Sequence, residues 1–261
     1  MNAKENKPLP RIIYVTGTGT GVGKTVLTAL LLTHLRQEGR NALAVKLFSS
    51  GGGGDGRLLH RLQSGSLSRK ESNPFAFRLP LAPWVAARLE NTPQIPFSRV
   101  CRFIKMMSRR AETLFLEGSG GILVPFGNNY SLADIMVKFP GTAVVAAPNG
   151  LGAINSILLT VKYLQAAGIK EIKVLMMGQE KADLASKSNV GAVEELLPEA
   201  PVFLLPYLGA KASSVAVVRQ NAKYLKKTLA QILGGDIVCP VASTGSEDCS
   251  TKPVDNLALK R

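Results

Sequence analysis

Short apolar segments alternate along the chain with longer segments whose apolar residues recur every three to four positions. A short, nearly continuous apolar run is typical of a strand buried on both faces, and the longer period is typical of a helix packed on a sheet. The pattern predicts strands at 11–16, 42–47, 112–117, 142–147, 171–177 and 201–205. It predicts helices at 24–38, 56–63, 84–90, 97–110, 131–137, 153–167, 180–197 and 214–233.

This alternation predicts an α/β fold with a mostly parallel sheet and helices on both faces. We expect one domain over residues 11–233. A polar, disordered leader at 1–10 would precede it, and a weakly ordered tail at 234–261 would follow it. Ligands of such sheets bind beyond the carboxyl ends of the strands, so polar residues just after strands are the candidates for function.

The segment between the first predicted strand and the first predicted helix is a glycine-rich loop that ends in Gly-Lys-Thr. Glycines let a backbone curl around an anion, and the helix N-terminus adds positive potential. The loop has the pattern of a phosphate cradle, in which Lys24 reaches the β- and γ-phosphates and Thr25 binds Mg²⁺. It starts at Gly17, one residue earlier than usual. The expected nucleotide contacts are Gly19, Thr20, Gly21, Val22, Gly23, Lys24 and Thr25.

Charged residues also follow two other predicted strands. Asp55 comes after four successive glycines, and Glu117 ends the third strand, so both are candidate Mg²⁺ ligands beside Thr25. Lys46, at the end of the second strand, either reaches solvent or points at an anion. Two lysines beside one Mg²⁺ would suit phosphoryl transfer between anionic groups. The glycines at 118–121 form either a plain tight turn or a second anion site.

The chain has a formal net charge of +14, from 32 Lys and Arg residues against 18 Asp and Glu residues. Nucleic acids and small anions both attract such charge. The basic residues are scattered without interleaved aromatics, so we favour a solvated basic surface with no nucleic-acid partner. No apolar run is long enough to cross a membrane, and the first residues lack a signal-peptide pattern. The three cysteines lack metal-ligand spacing, so we expect a reducing compartment, the cytoplasm.

Together these segments resemble the dethiobiotin synthetase family of P-loop NTPases, from about Arg11 to about Tyr207. The matching pieces are the extended loop, Lys46 with Ser49-Ser50-Gly51 and Asp55, Glu117-Gly118-x-Gly120-Gly121, and Gly150-Leu151-Gly152-x-Ile154-Asn155. The resemblance implies an ATP-dependent cyclo-ligase of biotin biosynthesis. Such an enzyme converts 7,8-diaminononanoate, CO₂ and Mg-ATP to dethiobiotin, through a carbamate and a carbamic-phosphoric anhydride.

The resemblance also implies roles for single residues. Lys24, Lys46 and Ser50 would be catalytic. Thr25, Asp55 and Glu117 would hold Mg²⁺. The substrate contacts would be Ser50, Glu117, Gly118, Gly120, Gly121, Gly152 and Asn155. Gly152 and Asn155 would act from the partner subunit of a homodimer.

Some points stay open at this level. The predicted fifth strand ends in Met177-Gly178, where the family commonly has an asparagine that reads adenine, so the base is not fixed. A partition or positioning ATPase has the same kind of fold, but its extra early lysine is missing from the start of this loop, at 17–19. A cobyrinate-type amidoligase would need a glutaminase domain, and Cys239 lacks that context.

Overall fold

The computed structural model describes residues 10–52 and 54–234. Within them, the main strands are β1 (Arg11–Gly17), β2 (Ala42–Lys46), β5 (Thr113–Glu117), β6 (Thr142–Pro148), β7 (Ile172–Met177) and β8 (Val202–Leu205). A small second sheet contains β3 (Phe48–Ser49) and β4 (Phe75–Ala76). The helices are α1 (Lys24–Gln37), α2 (Gly54–Leu62), α3 (Arg69–Ser72), α4 (Pro83–Leu89), α5 (Phe97–Ser108), α6 (Leu132–Lys138), α7 (Ala153–Ala166), α8 (Leu184–Leu196), α9 (Val215–Tyr224) and α10 (Lys226–Ile232).

The main sheet is parallel throughout, with the order β2-β5-β1-β6-β7-β8. From β1 the chain first reaches the edge strand β2, returns to place β5 between β2 and β1, and then continues on the other side of β1 with β6, β7 and β8. Such a reversal opens a crevice at the carboxyl ends of the central strands. The predicted α/β architecture is therefore confirmed.

Both faces of the sheet are buried. In β1, Ile12 and Tyr14 pack into one apolar layer, whereas Ile13 and Val15 pack into the other. The first layer contains side chains of α4 to α8, and the second contains side chains of α1, α2, α9 and α10. Burial on both faces explains why the strands are almost continuously apolar in sequence. No helix in the described part of the chain is long and apolar enough to cross a membrane.

The prediction of one long final helix at 214–233 was wrong. Leu225 leaves the helical conformation, with ψ of 14°, and separates α9 from α10. Its N–H still donates to the Asn221 carbonyl at 2.8 Å, so the chain bends without losing this hydrogen bond. Val218 on α9 and Leu229 on α10 both pack into the layer that contains α1.

Other differences are local. The segment at 48–55 was expected to be a loop, but it contains β3 and the first turn of α2, where Asp55 lies. The loop-rich segment at 64–83 contains α3 and β4. The helix predicted at 180–197 begins only at Leu184, because Asp183 caps it by accepting the N–H of Ser186 at 2.7 Å. The predicted leader and tail lie, apart from Pro10 and Gly234, outside the described residues.

Three side chains close the outer edge of β2. Gln63, which is completely buried, accepts the Ala44 N–H at 3.0 Å and donates to the Ala44 carbonyl at 2.6 Å. Arg36 donates to the Ala42 carbonyl at 3.1 Å, and Asn73 donates to the Lys46 carbonyl at 2.8 Å. An open strand edge leaves backbone groups unpaired, and a buried unpaired group is costly. These contacts, with Gln63 at their centre, therefore let β2 serve as the last strand of the sheet.

We expect Gln63→Ala to lower the free energy of unfolding by roughly 2–4 kcal/mol, because two buried backbone groups of Ala44 lose their partner. Urea unfolding measures this as a lower midpoint. The control is Gln37→Ala, an exposed glutamine on α1, which should change stability by less than about 0.5 kcal/mol. Equal midpoints for the two variants would contradict the role given to Gln63.

Candidate active site

A cavity of about 730 Å³ lies at the carboxyl ends of β1, β2 and β5. The glycine-rich loop, the start of α1, the first two turns of α2 and the start of α9 surround it. Its lining includes Thr20, Gly21, Gly23, Lys24, Thr25, Lys46, Ser50, Asp55, Arg57, Arg61, Ser119, Gly120, Ser213 and Ser214. Most residues predicted from sequence for nucleotide, metal and carbamate binding therefore meet in one place.

The glycine-rich loop has the conformation that its sequence requires. Gly21 and Gly23 adopt left-handed backbone angles, with φ of 76° and 92°, which side-chain-bearing residues rarely accept. Gly23 is also the residue at which α1 begins. A Cβ atom on Gly17 would lie 2.6 Å from the Val22 side chain, so the curl of the loop needs glycine there as well. Val22 itself points away from the main cavity, towards a second one described below.

Lys24 is nearly buried, and its ammonium donates to the Gly19 carbonyl within the loop. Burial, and secondly the ammonium of Lys46, lowers the pKa of Lys24 to about 8. A lysine with a lowered pKa is one whose charge is poorly compensated. An anion bound in the loop would supply the missing compensation.

Lys46 and Glu117 form the centre of the site. They are register partners on β2 and β5, and the Lys46 ammonium lies 2.6 Å from Glu117 Oε1. The same ammonium donates to the Gly118 carbonyl at 2.9 Å and lies 3.1 Å from Asp55 Oδ2. Burial lowers the pKa of Lys46, but the carboxylates of Glu117 and Asp55 outweigh burial and raise it. Lys46 therefore stays charged although it is buried.

The same cluster fits a magnesium ion. Thr25 Oγ1 donates to Glu117 Oε1 at 2.5 Å, so the helix start and the strand end share one oxygen. The other oxygen, Glu117 Oε2, is buried and has no hydrogen-bond partner among the described residues. Hydroxyl and carboxylate oxygens are the donors that Mg²⁺ prefers. No group of three or more His, Cys, Asp or Glu clusters in this part of the chain, so phosphate oxygens would have to complete the coordination.

The serines and glycines predicted to contact substrate have different surroundings in the structure. Ser49 and Ser50 both line the cavity, and the Ser49 hydroxyl is engaged as a donor to Asn73 Oδ1 at 2.6 Å. Gly120 also lines the cavity. Gly118 is required by packing, because a Cβ there would lie 2.6 Å from Leu132. Gly121 lies against the carbonyl of Gly17. Substrate contact at Gly118, Gly120 and Gly121 stays a prediction.

Gly152 and Asn155 do not line the cavity. Gly152 precedes α7, Asn155 lies in its first turn, and both are exposed. The neighbouring Leu151 is 90% exposed. The contact of Gly152 and Asn155 with substrate across a subunit interface therefore stays a prediction.

Two features of the site were not predicted from sequence. The first is the presence of Arg57 and Arg61 in the main cavity. The available signal was that the two arginines follow Asp55 and lie four residues apart, on one face of a helix. The second is a neighbouring cavity of about 450 Å³ at the ends of β7 and β8. It shares Gly21, Gly23 and Val26 with the main cavity, so the two are adjacent. Its other lining residues include Met177, Gly178, Gln179, Glu180, Pro206 and Tyr207.

Known proteins are similar to the chain over most of its length. A family model described as an AAA domain matches residues 11–213. The ATP-dependent dethiobiotin synthetase BioD of Bacillus velezensis is 32% identical over 221 residues, which cover 82% of this chain and 92% of that protein. BioD of Akkermansia muciniphila is 34% identical over 194 residues, which cover 74% and 90%.

Solved structures extend the comparison to the fold. The MinC:MinD cell division protein complex of Aquifex aeolicus gives a TM-score of 0.56 at 16% identity, covering 90% of this chain and all of that chain. The pNOB8 ParA structure bound to nonspecific DNA gives 0.56 at 10% identity, covering 87% and 99%. Identities this low show a common fold alone. Because the similarity to the BioD proteins is greater and spans most of both chains, the chain belongs to the family of ATP-dependent dethiobiotin synthetases.

Proposed function

We propose that the chain carboxylates 7,8-diaminononanoate and closes the cyclic urea of dethiobiotin at the expense of ATP. The observation that carries the proposal is the position of Lys46, which joins Glu117 and Asp55 in the cavity that the phosphate loop also lines. Family membership supports the choice of substrates. The alternatives are less supported, because the relatives of the MinD and ParA type share only the fold.

The proposed reaction has three steps. One amine of the substrate adds to CO₂ and loses a proton, which gives a carbamate. A carbamate oxygen attacks the γ-phosphorus of ATP, and ADP leaves. The second amine then attacks the carbamate carbon of the mixed anhydride, loses a proton and expels phosphate, which closes the ring.

The two lysines would reduce the electrostatic repulsion between the reactants of the second step. The carbamate and the γ-phosphoryl group are both anions, so fixed positive charge is needed where they approach each other. Lys24 would bind the phosphates, and Lys46, with the Ser50 hydroxyl, would hold the carbamate and the transferring group. Lys46 suits this role because its carboxylate neighbours keep it charged and fixed in place.

Thr25, Asp55 and Glu117 would hold the Mg²⁺ ion. Magnesium supplies charge neutralisation at the phosphates when it is bound. The second cavity would hold the nucleotide base, because it adjoins the phosphate loop and has an apolar wall that includes Met177 and Pro206. Base choice remains part of the proposal, since no asparagine occupies the end of β7.

A homodimer would complete the substrate site. The start of α7 offers free N–H groups and the exposed Asn155, which together suit the carboxylate of a substrate held by the partner subunit. Leu151 and Leu159 are also exposed on this surface, as expected if a second copy covers it. We place the reaction in the cytoplasm.

Incubation of the protein with 7,8-diaminononanoate, bicarbonate, Mg²⁺ and ATP should give dethiobiotin, detected by mass spectrometry, and omission of Mg²⁺ should abolish the product. The same assay with CTP and GTP reports base choice. Because the family's adenine-reading asparagine is absent from the end of β7, we expect little loss with either nucleotide. A strict preference for ATP would instead assign base reading to the Gln179 amide or to backbone groups of the second cavity. Absence of product with every nucleotide would overturn the proposed function.

We expect Lys24→Ala to lower kcat/KM at least about 100-fold, because it removes one preorganised charge from the phosphoryl-transfer step. The matched control is Lys105→Ala, an exposed lysine on α5 outside the cavity, which should retain wild-type turnover. Turnover by Lys24→Ala at the rate of this control would show that the loop does not bind the reacting phosphates.

Subunit mixing tests the shared site. Lys24→Ala and Asn155→Ala subunits should each be impaired, and in Asn155→Ala the loss should appear in KM for the diamine rather than for ATP. Random mixing of the two should restore roughly a quarter of the wild-type rate, because about half of the dimers hold one intact site. Mixing Lys24→Ala with the double variant should restore nothing. A mixture no faster than the mean of its parents would argue against a site shared across the interface.

A further inference from the structure

We propose that Arg57 and Arg61 form a second cationic contact for the phosphate chain of the nucleotide, in addition to Lys24 and Lys46. The inference rests on the proposed use of the main cavity for Mg-ATP. It assigns a role to the face of α2 that follows Asp55.

The positions of the two arginines follow from their spacing on helix α2. Residues four apart lie on the same face of a helix, and both arginines line the main cavity and are exposed to solvent there. Leu59 is buried in the apolar layer beneath, and Leu58 lies between the two, buried in that layer and also lining the cavity. Arg57 Nη1 also donates to the Gly52 carbonyl at 2.7 Å, which orients its side chain beside the loop that follows β3.

The charge of the cavity is unbalanced. Among the described residues that line it, the cations are Lys24, Lys46, Arg57 and Arg61, and the one acid is Asp55, which already pairs with Lys46. Neither arginine makes an ion pair with any carboxylate in this part of the chain. Even with the buried Glu117 included, the cavity carries excess positive charge, which complements a polyanion.

The distribution of charge between the two cavities indicates which part of the nucleotide the arginines contact. In the described lining of the second cavity, the one charged side chain is Glu180, an acid, and the rest is largely apolar or neutral. The base therefore suits the second cavity, and the phosphate chain suits the main one. Arginine presents a planar fork that can bind two phosphate oxygens at once.

The test compares two double variants that remove the same charge. Arg57→Gln/Arg61→Gln removes the proposed contact, whereas Arg102→Gln/Arg109→Gln removes two exposed arginines of α5 and its C-terminal end, outside the cavity. Calorimetry measures Kd for Mg-ATP and for Mg-tripolyphosphate, which has phosphates but no base. We expect the first variant to bind both ligands roughly tenfold or more weakly than wild type, and the control to stay within about threefold.

The outcomes separate this inference from the proposed function. If wild type binds neither ligand, or binds as well after Lys24→Ala, the proposed phosphate site fails. If wild type binds both and Arg57→Gln/Arg61→Gln binds like the α5 control, the proposed site stands and the arginine contact is overturned. A loss confined to Mg-ATP, with tripolyphosphate unaffected, overturns it too, because the arginines then act on base or ribose. If the double variant does not fold, the single variants Arg57→Gln and Arg61→Gln decide the matter. Each is expected to weaken binding of both ligands by more than the roughly threefold change allowed for the control.

Discussion

The buried ion pair of Lys46 and Glu117 holds the parts of the site in place. It lies between register partners of the adjacent strands β2 and β5, and Thr25 joins it from the start of α1. A buried charge is tolerated only while its partners remain, since removal of one leaves the other unpaired in a medium of low polarity. The phosphate loop, two strand ends and the first turn of α2 are therefore held by one group of mutually dependent charges.

The sheet topology makes this group possible. The reversal of strand order at β1 brings the carboxyl ends of β1 and β5 together, and the chain places its functional residues directly after those ends. The edge position of β2 then exposes one side of a strand that carries a catalytic candidate. Gln63 covers that side at Ala44, and Arg36 and Asn73 cover it at the strand's two ends, so side chains outside the main sheet support the strand in which Lys46 faces Glu117.

Sequence reasoning predicted the main sheet and most of the cavity because the signals were local. A strand buried on both faces is apolar throughout, and Gly-Lys-Thr before a helix has few other structural explanations. It did not find the interruption at Leu225, because the apolar period continues through that residue. Arg57 and Arg61 were missed for a related reason. Nothing in a helical pattern distinguishes arginines that face solvent from arginines that face a cavity formed with α9, which is distant in sequence.

The contact between Met177 and Gly23 joins the two cavities physically. A Cβ on Gly23 would lie 2.8 Å from the Met177 methyl group, so the strand end beside the second cavity packs directly on the turn that starts α1. Methionine is flexible enough to fill such an irregular gap. A bulkier or branched residue at 177 would press on the phosphate loop while it reshaped the second cavity. The shape of one cavity therefore cannot be changed at this position without a change in the other.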